Sequence, residues 1–110
     1  MNENIFSYDM PRKGVCARAR LEFPEMVVLS GSVVAQDETP RMPDQYRALR
    51  RRLLEEGIIG WQGGYLVFLR DHRFTSSSAA VCVVEGGSRN GYVAWRNQHG
   101  QTLRDLGYQR

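Results

Sequence analysis

Hydrophobic and polar residues alternate over residues 15–22, which predicts a β-strand with one buried face. Residues 26–29 are apolar at every position, which is typical of a central strand, and Ser30 then begins a bulge or turn. Residues 1–12 show no comparable period. We expect them to form a loosely ordered arm.

An amphipathic helix is predicted over residues 43–56, where a proline precedes apolar residues at helical spacing and Gly57 ends the run. Arg47, Arg50 and Arg51 fill part of its remaining surface. Such a run is usually a solvated face. The alternative is a positive surface that extends a binding site.

The C-terminal half of the chain contains shorter elements. Residues 65–69 are continuously apolar or aromatic and predict a central strand. A short apolar helix follows, with Ser76 as its N-cap and Gly86 at its end. Residues 91–97 predict the last strand, and residues 102–106 a terminal turn or short helix.

Together these elements predict an α+β fold: a small single domain with a mostly antiparallel sheet of four to five strands and two helices. The 110 residues, 42% of them hydrophobic, suit one domain over residues 1–110. The apolar runs are too short to cross a bilayer, and the N-terminus has no basic export signal. We therefore expect no membrane partner and a cytoplasmic location.

The charge balance is basic and uneven along the chain. Fifteen Lys and Arg residues oppose twelve Asp and Glu, for a net charge of +3. Residues 1–38 hold four basic and six acidic residues, whereas residues 39–110 hold eleven and six. All basic residues except Lys13 are arginine, which grips phosphate and base edges in pairs of hydrogen bonds. The composition favours nucleic acid, although codon bias in a GC-rich genome would also enrich arginine.

A possible anion site lies at the start of the second predicted helix. The backbone N–H groups at a helix start donate to no carbonyl of the helix, and the hydroxyls of Ser76, Ser77 and Ser78 lie beside them. Arg73 lies just upstream. These groups together suit a phosphate oxygen. The alternative is that Ser76 only caps the helix, and both can hold together.

A turn and an aromatic strand follow this helix start. Asn90 and the glycine after it favour a tight turn with positive φ, a conformation that does not require Arg89. Tyr92 and Trp95 fall on opposite faces of the predicted strand, and we expect Trp95 to be in the core. Arg96 shares the face of Tyr92, where an exposed ring would stack on a base or a sugar.

An enzyme hypothesis finds little support in the sequence. Ser76 or Ser78 could be combined with His72 and Asp71 as a triad, but there is no nucleophile elbow, and neighbouring residues on a strand end point apart. A perturbed pKa of His72 inside a closed pocket would strengthen this hypothesis. The two cysteines have no metal-binding spacing. We expect no catalytic residue, no metal and no cofactor.

Several of these segments together resemble the family called domain of unknown function 4357. The resemblance covers roughly residues 15–106, and Ser77 stands where the family usually has a proline. The positions that carry it are Gly57, Phe74, Ser76, Ser77, Ser78, Ala79, Ala80, Asn90, Gly91, Trp95, Arg96, Gly100, Thr102 and Leu103.

The second half also resembles the restriction-enzyme and adenine-methylase-associated domain. Members of these families are often joined to GIY-YIG nucleases, methylases or restriction proteins, so the resemblance implies contact with DNA and with a modified base. It predicts a non-catalytic DNA-binding accessory module, linked to DNA modification, restriction or nuclease systems, that relies on a nuclease or methylase partner for chemistry. The predicted contact residues are Arg73, Ser76, Ser77, Ser78, Arg89, Asn90, Tyr92 and Arg96, with Arg47, Arg50 and Arg51 extending the positive surface.

A second hypothesis assigns the chain to another class. In it the domain is a protein–protein interaction module that docks onto a nuclease, methylase or defence protein. Trp61, in a glycine-rich loop, and the helix that carries Tyr46 would form the contact. An exposed apolar patch without salt-sensitive nucleic-acid binding would favour this hypothesis.

Overall fold

The chain forms helices and antiparallel strands, and a computed structural model describes residues 4–108. The α+β fold class predicted from the sequence is confirmed. A short 3₁₀ helix (Pro11–Lys13) links the first two strands. The strands are β1 (Ile5–Met10), β2 (Val15–Glu22), β3 (Glu25–Val28), β4 (Ile59–Gln62), β5 (Tyr65–Phe68) and β6 (His72–Phe74), and the helices are α1 (Asp44–Glu55), α2 (Ser77–Glu85) and α3 (Gly91–Ala94).

Four strands form the main sheet in the order β1-β2-β3-β6, and all neighbours are antiparallel. The predicted central strand with a turn behind it is confirmed, since β3 lies between β2 and β6. Beyond the turn, Ser32 accepts a hydrogen bond from Arg18 N and donates one to Arg18 O. Val33 then pairs with Cys16 of β2 and with Val67 of β5. The β4–β5 hairpin therefore joins the sheet, and β5 has neighbours on both sides.

The strand β1 lies where the sequence predicted a loosely ordered arm. It pairs residue by residue with β2 along its whole length. Phe6 and Tyr8 point into the core, with 1% and 7% of their surface exposed. The arm prediction is wrong for this segment, because an alternation of only two apolar positions is too short to stand out from the sequence. Residues 1–3 lie outside the described part of the chain.

The main sheet has one covered face and one open face. The apolar residues of β2 are buried and the polar residues between them are exposed or half-buried, as predicted. The helix α2 packs on the covered face against β2, β3 and β6, and every residue in it except Ser78 is buried. The core therefore lies between the sheet and α2, and the charged side chains of β2 and β6 occupy the open face.

The predicted amphipathic helix is confirmed as α1, within one residue at each end. Leu53 is fully buried, while Tyr46 and Leu49 pack half-buried against the core. The helix contacts α2 and β4. Within residues 4–108, no helix is long and apolar enough to cross a membrane.

The predicted last strand is wrong, because the chain forms the short helix α3 there. Asn90 Oδ1 accepts a hydrogen bond from Tyr92 N at 2.9 Å, which makes Asn90 the N-cap of α3. The φ of Asn90 is −87°, so the predicted tight turn with positive φ is also wrong. Trp95 follows the helix with none of its surface exposed, which confirms its predicted place in the core.

Candidate nucleic-acid interface

A groove runs along the edge of β1 that faces away from β2. It consists of three adjoining cavities of about 330, 270 and 360 Å³. Ser7 and Arg96 line both the first and the second cavity, and Phe6, Asn97 and Gln98 line both the second and the third. We call this surface the β1 groove. Its remaining lining residues are Asn4, Ile5, Tyr8, Asp9, Arg18, Arg89, Val93, Ala94, His99, Gln101, Leu106 and Tyr108.

Arg96 stands at the centre of the β1 groove. Its backbone exchanges two hydrogen bonds with Ser7 of β1, at 2.8 and 3.0 Å, which fixes the position of its Cα. The guanidinium donates to Gly100 O at 2.8 Å and, within residues 4–108, has no acidic partner closer than 4 Å. Arg96 therefore keeps its charge and most of its donors for a ligand.

Arg89 lines the first cavity of the groove from the segment between α2 and α3. Its Nε and Nη2 donate to the two carboxylate oxygens of Glu85 at 2.8 and 3.1 Å. The guanidinium carbon lies 5.9 Å from the centre of the Tyr8 ring. This two-point contact fixes the arginine fork, and the side chain is still 40% exposed.

Glu85 is the buried acid behind the groove, with 5% of its surface exposed. Besides Arg89, it accepts a hydrogen bond from Tyr8 Oη at 2.5 Å and lies 3.4 Å from Lys13 Nζ. Burial alone would raise the pKa of Glu85, but the hydrogen bonds from Arg89 and Tyr8 outweigh it and hold that pKa below its ordinary value. Burial and the bond to this carboxylate raise the pKa of Tyr8 in turn. Tyr8 thus stays a hydrogen-bond donor.

The sequence reasoning missed Tyr8 and Glu85 as functional residues. A signal for Glu85 exists, because it lies four residues before Arg89, the spacing at which oppositely charged side chains pair along a helix. Tyr8 carries no such signal. It lies 77 positions from Glu85, and only the pairing of β1 into the sheet brings the two together.

The far end of the groove is lined by amide side chains. Asn97 Oδ1 accepts hydrogen bonds from the backbone N–H groups of His99 and Gln101, both at 2.9 Å, and so holds the loop closed. Gln98 and His99 are exposed. Asn97 Nδ2 also donates to Gln101 Oε1 at 3.0 Å, so these two amides bond to each other. The exposed Gln98 amide makes no hydrogen bond among residues 4–108, and it offers a donor and an acceptor side by side, the pattern that reads base edges. The sequence analysis did not select these residues.

Arg73 lies at the opposite edge of the main sheet. It stands on β6, three strand spacings, or about 14 Å, from β1. Its guanidinium contacts Glu22 at 2.6 Å and Glu25 at 2.8 Å on the open face. The structure therefore does not bring Arg73 together with the groove. Arg18, which was not selected from the sequence, does line it and pairs with Asp9 at 3.1 Å.

The serines at the start of α2 have partners inside the protein. Ser76 Oγ accepts from Ala79 N at 3.0 Å, which confirms its predicted role as the N-cap. Ser77 is buried, and its carbonyl accepts a hydrogen bond from the indole of Trp95 at 3.1 Å. Ser78 Oγ accepts from Gly91 N at 2.9 Å. The start of α3 therefore packs on the first turn of α2, and these serines join the two helices.

Asn90 and Tyr92 belong to the same junction between helices. Asn90 is exposed but uses its side-chain oxygen to cap α3. Tyr92 is half-buried against the core, and its ring lies 6.5 Å from that of Phe23. Neither residue lines the β1 groove.

The arginines of α1 differ from one another. Arg50 is 1% exposed and donates to Val83 O at 2.6 Å and to Ala35 O, so the prediction that it extends a positive surface is wrong. Burial lowers the pKa of Arg50. Arg47 is held by Glu38 at 2.7 Å. Of the arginines in α1, only Arg51 is exposed and makes no ion pair with residues 4–108. A periodic arginine pattern cannot distinguish these three environments.

The groups of the hypothetical triad each contact other partners. Asp71 Oδ1 accepts from Ser30 N at 2.8 Å, and the serines serve the α2–α3 junction. Burial and the charge of Arg52 lower the pKa of His72, whose ring lies edge-on to Phe74 at 4.9 Å. In the part of the chain that the structure describes, no three His, Cys, Asp or Glu residues are grouped to hold a metal ion.

Comparison with known proteins gives one match. The family model described as "Domain of unknown function (DUF4357)" matches residues 6–107, which is nearly the whole chain. No curated protein and no solved structure matches.

Proposed function

The chain belongs to the DUF4357 family, and we propose that it is a non-catalytic DNA-binding module whose contact surface is the β1 groove. The single observation that supports this proposal is the composition of the groove. It places Arg89 at one end, Arg96 at the centre and the side chains of Asn97, Gln98 and Gln101 toward the other end. Arginines suit phosphates, and amides suit base edges.

The two arginines have different parts in this proposal. Arg96 makes no ion pair within residues 4–108, and only the more distant charge of Asp105 acts on it, so most of its positive charge is available for phosphate binding. Arg89 is already paired with Glu85, so it contributes less charge but a fixed direction. The net charge of +3 indicates a modest affinity that salt weakens strongly. In this proposal the protein acts in the cytoplasm, beside a restriction, modification or nuclease system.

The test is fluorescence anisotropy of a labelled duplex, unmodified or adenine-methylated, at low and near-physiological salt. Arg96→Ala is expected to weaken binding and to lower the salt dependence by about one counterion. Arg89→Ala together with Arg96→Ala is expected to abolish it. A preference for the methylated duplex would identify the module as a reader of modified bases.

The matched control for this experiment is Arg51→Ala, which removes one exposed, unpaired arginine on α1, a helix that does not line the groove. It should bind nearly as the parent protein does. An equal loss of DNA affinity in Arg51→Ala and Arg96→Ala would show that only net charge matters, and it would overturn the assignment of the β1 groove as the contact surface. Absence of binding at low salt would overturn the DNA-binding proposal itself.

A specific observation also favours the interaction-module alternative. Trp61, Tyr65 and Leu69 on the β4–β5 hairpin are 62%, 60% and 44% exposed, respectively. Exposed aromatic side chains of this size are typical of protein contacts. In this alternative, the Trp61→Ala variant would no longer recover a nuclease, methylase or defence protein in a pull-down, whereas the Arg96→Ala variant would still recover it. Equal recovery by both variants would refute it.

A further inference from the structure

A separate cavity is lined by Lys13, whose ammonium also contacts Glu85. It has a volume of about 330 Å³ and shares no lining residue with the β1 groove. Its walls come from the 3₁₀ helix, from residues 33–37 and from Tyr65 of the hairpin. This volume is at the lower end of the range for small-molecule sites, so it suits one small ligand rather than a polymer.

Two cationic residues, Arg12 and Lys13, line this cavity. The Arg12 guanidinium is exposed and makes no hydrogen bond or ion pair within residues 4–108. Lys13 Nζ has three donors, of which two make long contacts with Glu85, 3.5 Å to its carbonyl and 3.4 Å to its carboxylate. Glu85 thus fixes the ammonium at the wall, and a donor is left for an anion.

Another part of the lining is aromatic and apolar. The Tyr65 side chain is 60% exposed although it belongs to a regular hairpin, where it pairs with Gln62. The half-buried Val33 continues the same lining. An exposed aromatic ring beside an aliphatic side chain is a surface on which a planar ring stacks.

Asp37 and Thr39 supply the remaining polar groups. Thr39 is held in place by its backbone N–H, which donates to Gly86 O at 2.8 Å. The exposed Asp37 carboxylate makes no hydrogen bond among the described residues. Its charge acts on the buried Arg50 behind it. An exposed carboxylate in a cavity lining is a group that accepts hydrogen bonds from ribose hydroxyls.

We propose that this cavity binds a nucleoside monophosphate. The base stacks on Tyr65, the ribose hydroxyls donate to Asp37, and the phosphate contacts Arg12 and Lys13. The three groups of such a ligand correspond to the three kinds of wall, and neither an inorganic anion nor an uncharged ring would use all of them. This inference does not rest on the proposed DNA-binding function.

The test is titration of the ¹⁵N-labelled protein with the monophosphates of adenosine, guanosine, cytidine and uridine, followed by NMR. Shifts are expected at Gly14 and residues 33–37, which surround the cavity. Adenosine alone and inorganic phosphate alone should each bind at least about tenfold more weakly than adenosine monophosphate, because adenosine lacks the phosphate contact and phosphate lacks the base and ribose contacts. Phosphate or adenosine binding as tightly as the nucleotide would overturn the proposal.

Variants locate the site. Tyr65→Ala and Arg12→Ala should each weaken nucleotide binding about tenfold. The matched controls are Trp61→Ala, whose side chain is equally exposed but lies on the other face of the hairpin, and Arg96→Ala in the β1 groove. Both controls should bind the nucleotide as the parent protein does. Shifts confined to the groove, equal loss in the controls, or no shifts at millimolar nucleotide would each overturn the proposal.

Discussion

Replacement of Gly91 by alanine tests how closely α3 approaches α2. A Cβ at this position would come within 2.5 Å of Ser78 N and would also clash with the carbonyl carbon and Oγ of Ser77. These are mostly backbone atoms of a buried helix, which cannot rotate away. Since Gly91 does not have a positive φ, only this contact opposes the substitution.

The expected cost follows from the contacts that the two helices share. Overpacking of this kind typically costs about 1 to 3 kcal/mol. Separation of the helices also strains the bonds from Gly91 N to Ser78 Oγ and from the Trp95 indole to Ser77 O. The indole is fully buried, so an unpaired N–H would cost about 1 to 3 kcal/mol more. We expect a total loss of about 2 to 6 kcal/mol, a large part of the stability of a small domain.

Guanidinium denaturation, followed by tryptophan fluorescence, measures this loss. Trp61 is already exposed in the folded protein, so the change on unfolding comes mainly from the buried Trp95. Gly60→Ala is the matched control, because Gly60 also lacks a positive φ and its Cβ would meet only the flexible end of Leu69. The control should lose less than about 1 kcal/mol. Alanine is a better helix former than glycine by about 1 kcal/mol, so without the clash Gly91→Ala would not be expected to destabilise α3. A Gly91→Ala protein as stable as the parent, or more so, would refute the close approach.

Three further predictions concern residues that the fold buries or caps. Glu85→Gln should destabilise the protein at neutral pH. Because the pKa of Glu85 is lowered, its contribution to the free energy of unfolding is present above the ordinary pKa of about 4.3 and is lost as the pH falls through the lowered pKa. A difference in unfolding free energy between parent and variant that stays constant in acid would contradict this. Arg50→Ala should cost about 2 to 5 kcal/mol in denaturation, because it leaves two buried carbonyls unpaired, whereas the exposed Arg51→Ala should stay within about 0.5 kcal/mol. Ser76→Ala should lower the stability by about 1 kcal/mol in the same assay, and no loss would mean that its bond to Ala79 N does not cap α2.

The family motif acquires a physical explanation at the α2–α3 junction. The serines, the Asn-Gly pair and the tryptophan carried the resemblance. The sequence alone assigns them separately: the serines and Asn90 to ligand contacts and Trp95 to the core. In the structure Ser77 accepts from Trp95, Ser78 accepts from Gly91, and Asn90 caps the helix between them. Their occurrence in one order therefore reflects the packing of two helices.

Local patterns alone determined several elements. The strand β2, the helix α1 and the helix α2, with Ser76 and Gly86 at its ends, follow from periodicity and capping, which act between residues at most four apart. The burial of Trp95 follows from its size and apolar surface. These features need no knowledge of distant contacts, and the sequence predicted them correctly.

Tertiary structure decided the identity of β1 and the environment of each arginine. β1 forms because β2 pairs with it, and α3 forms because Gly91 packs on Ser77 and Ser78. Arg50 is buried, Arg89 is paired and Arg96 is unpaired, although all three have the same side chain. The charge that an arginine offers to a ligand depends on groups brought near it by folding, and those groups lie up to tens of residues away in the chain.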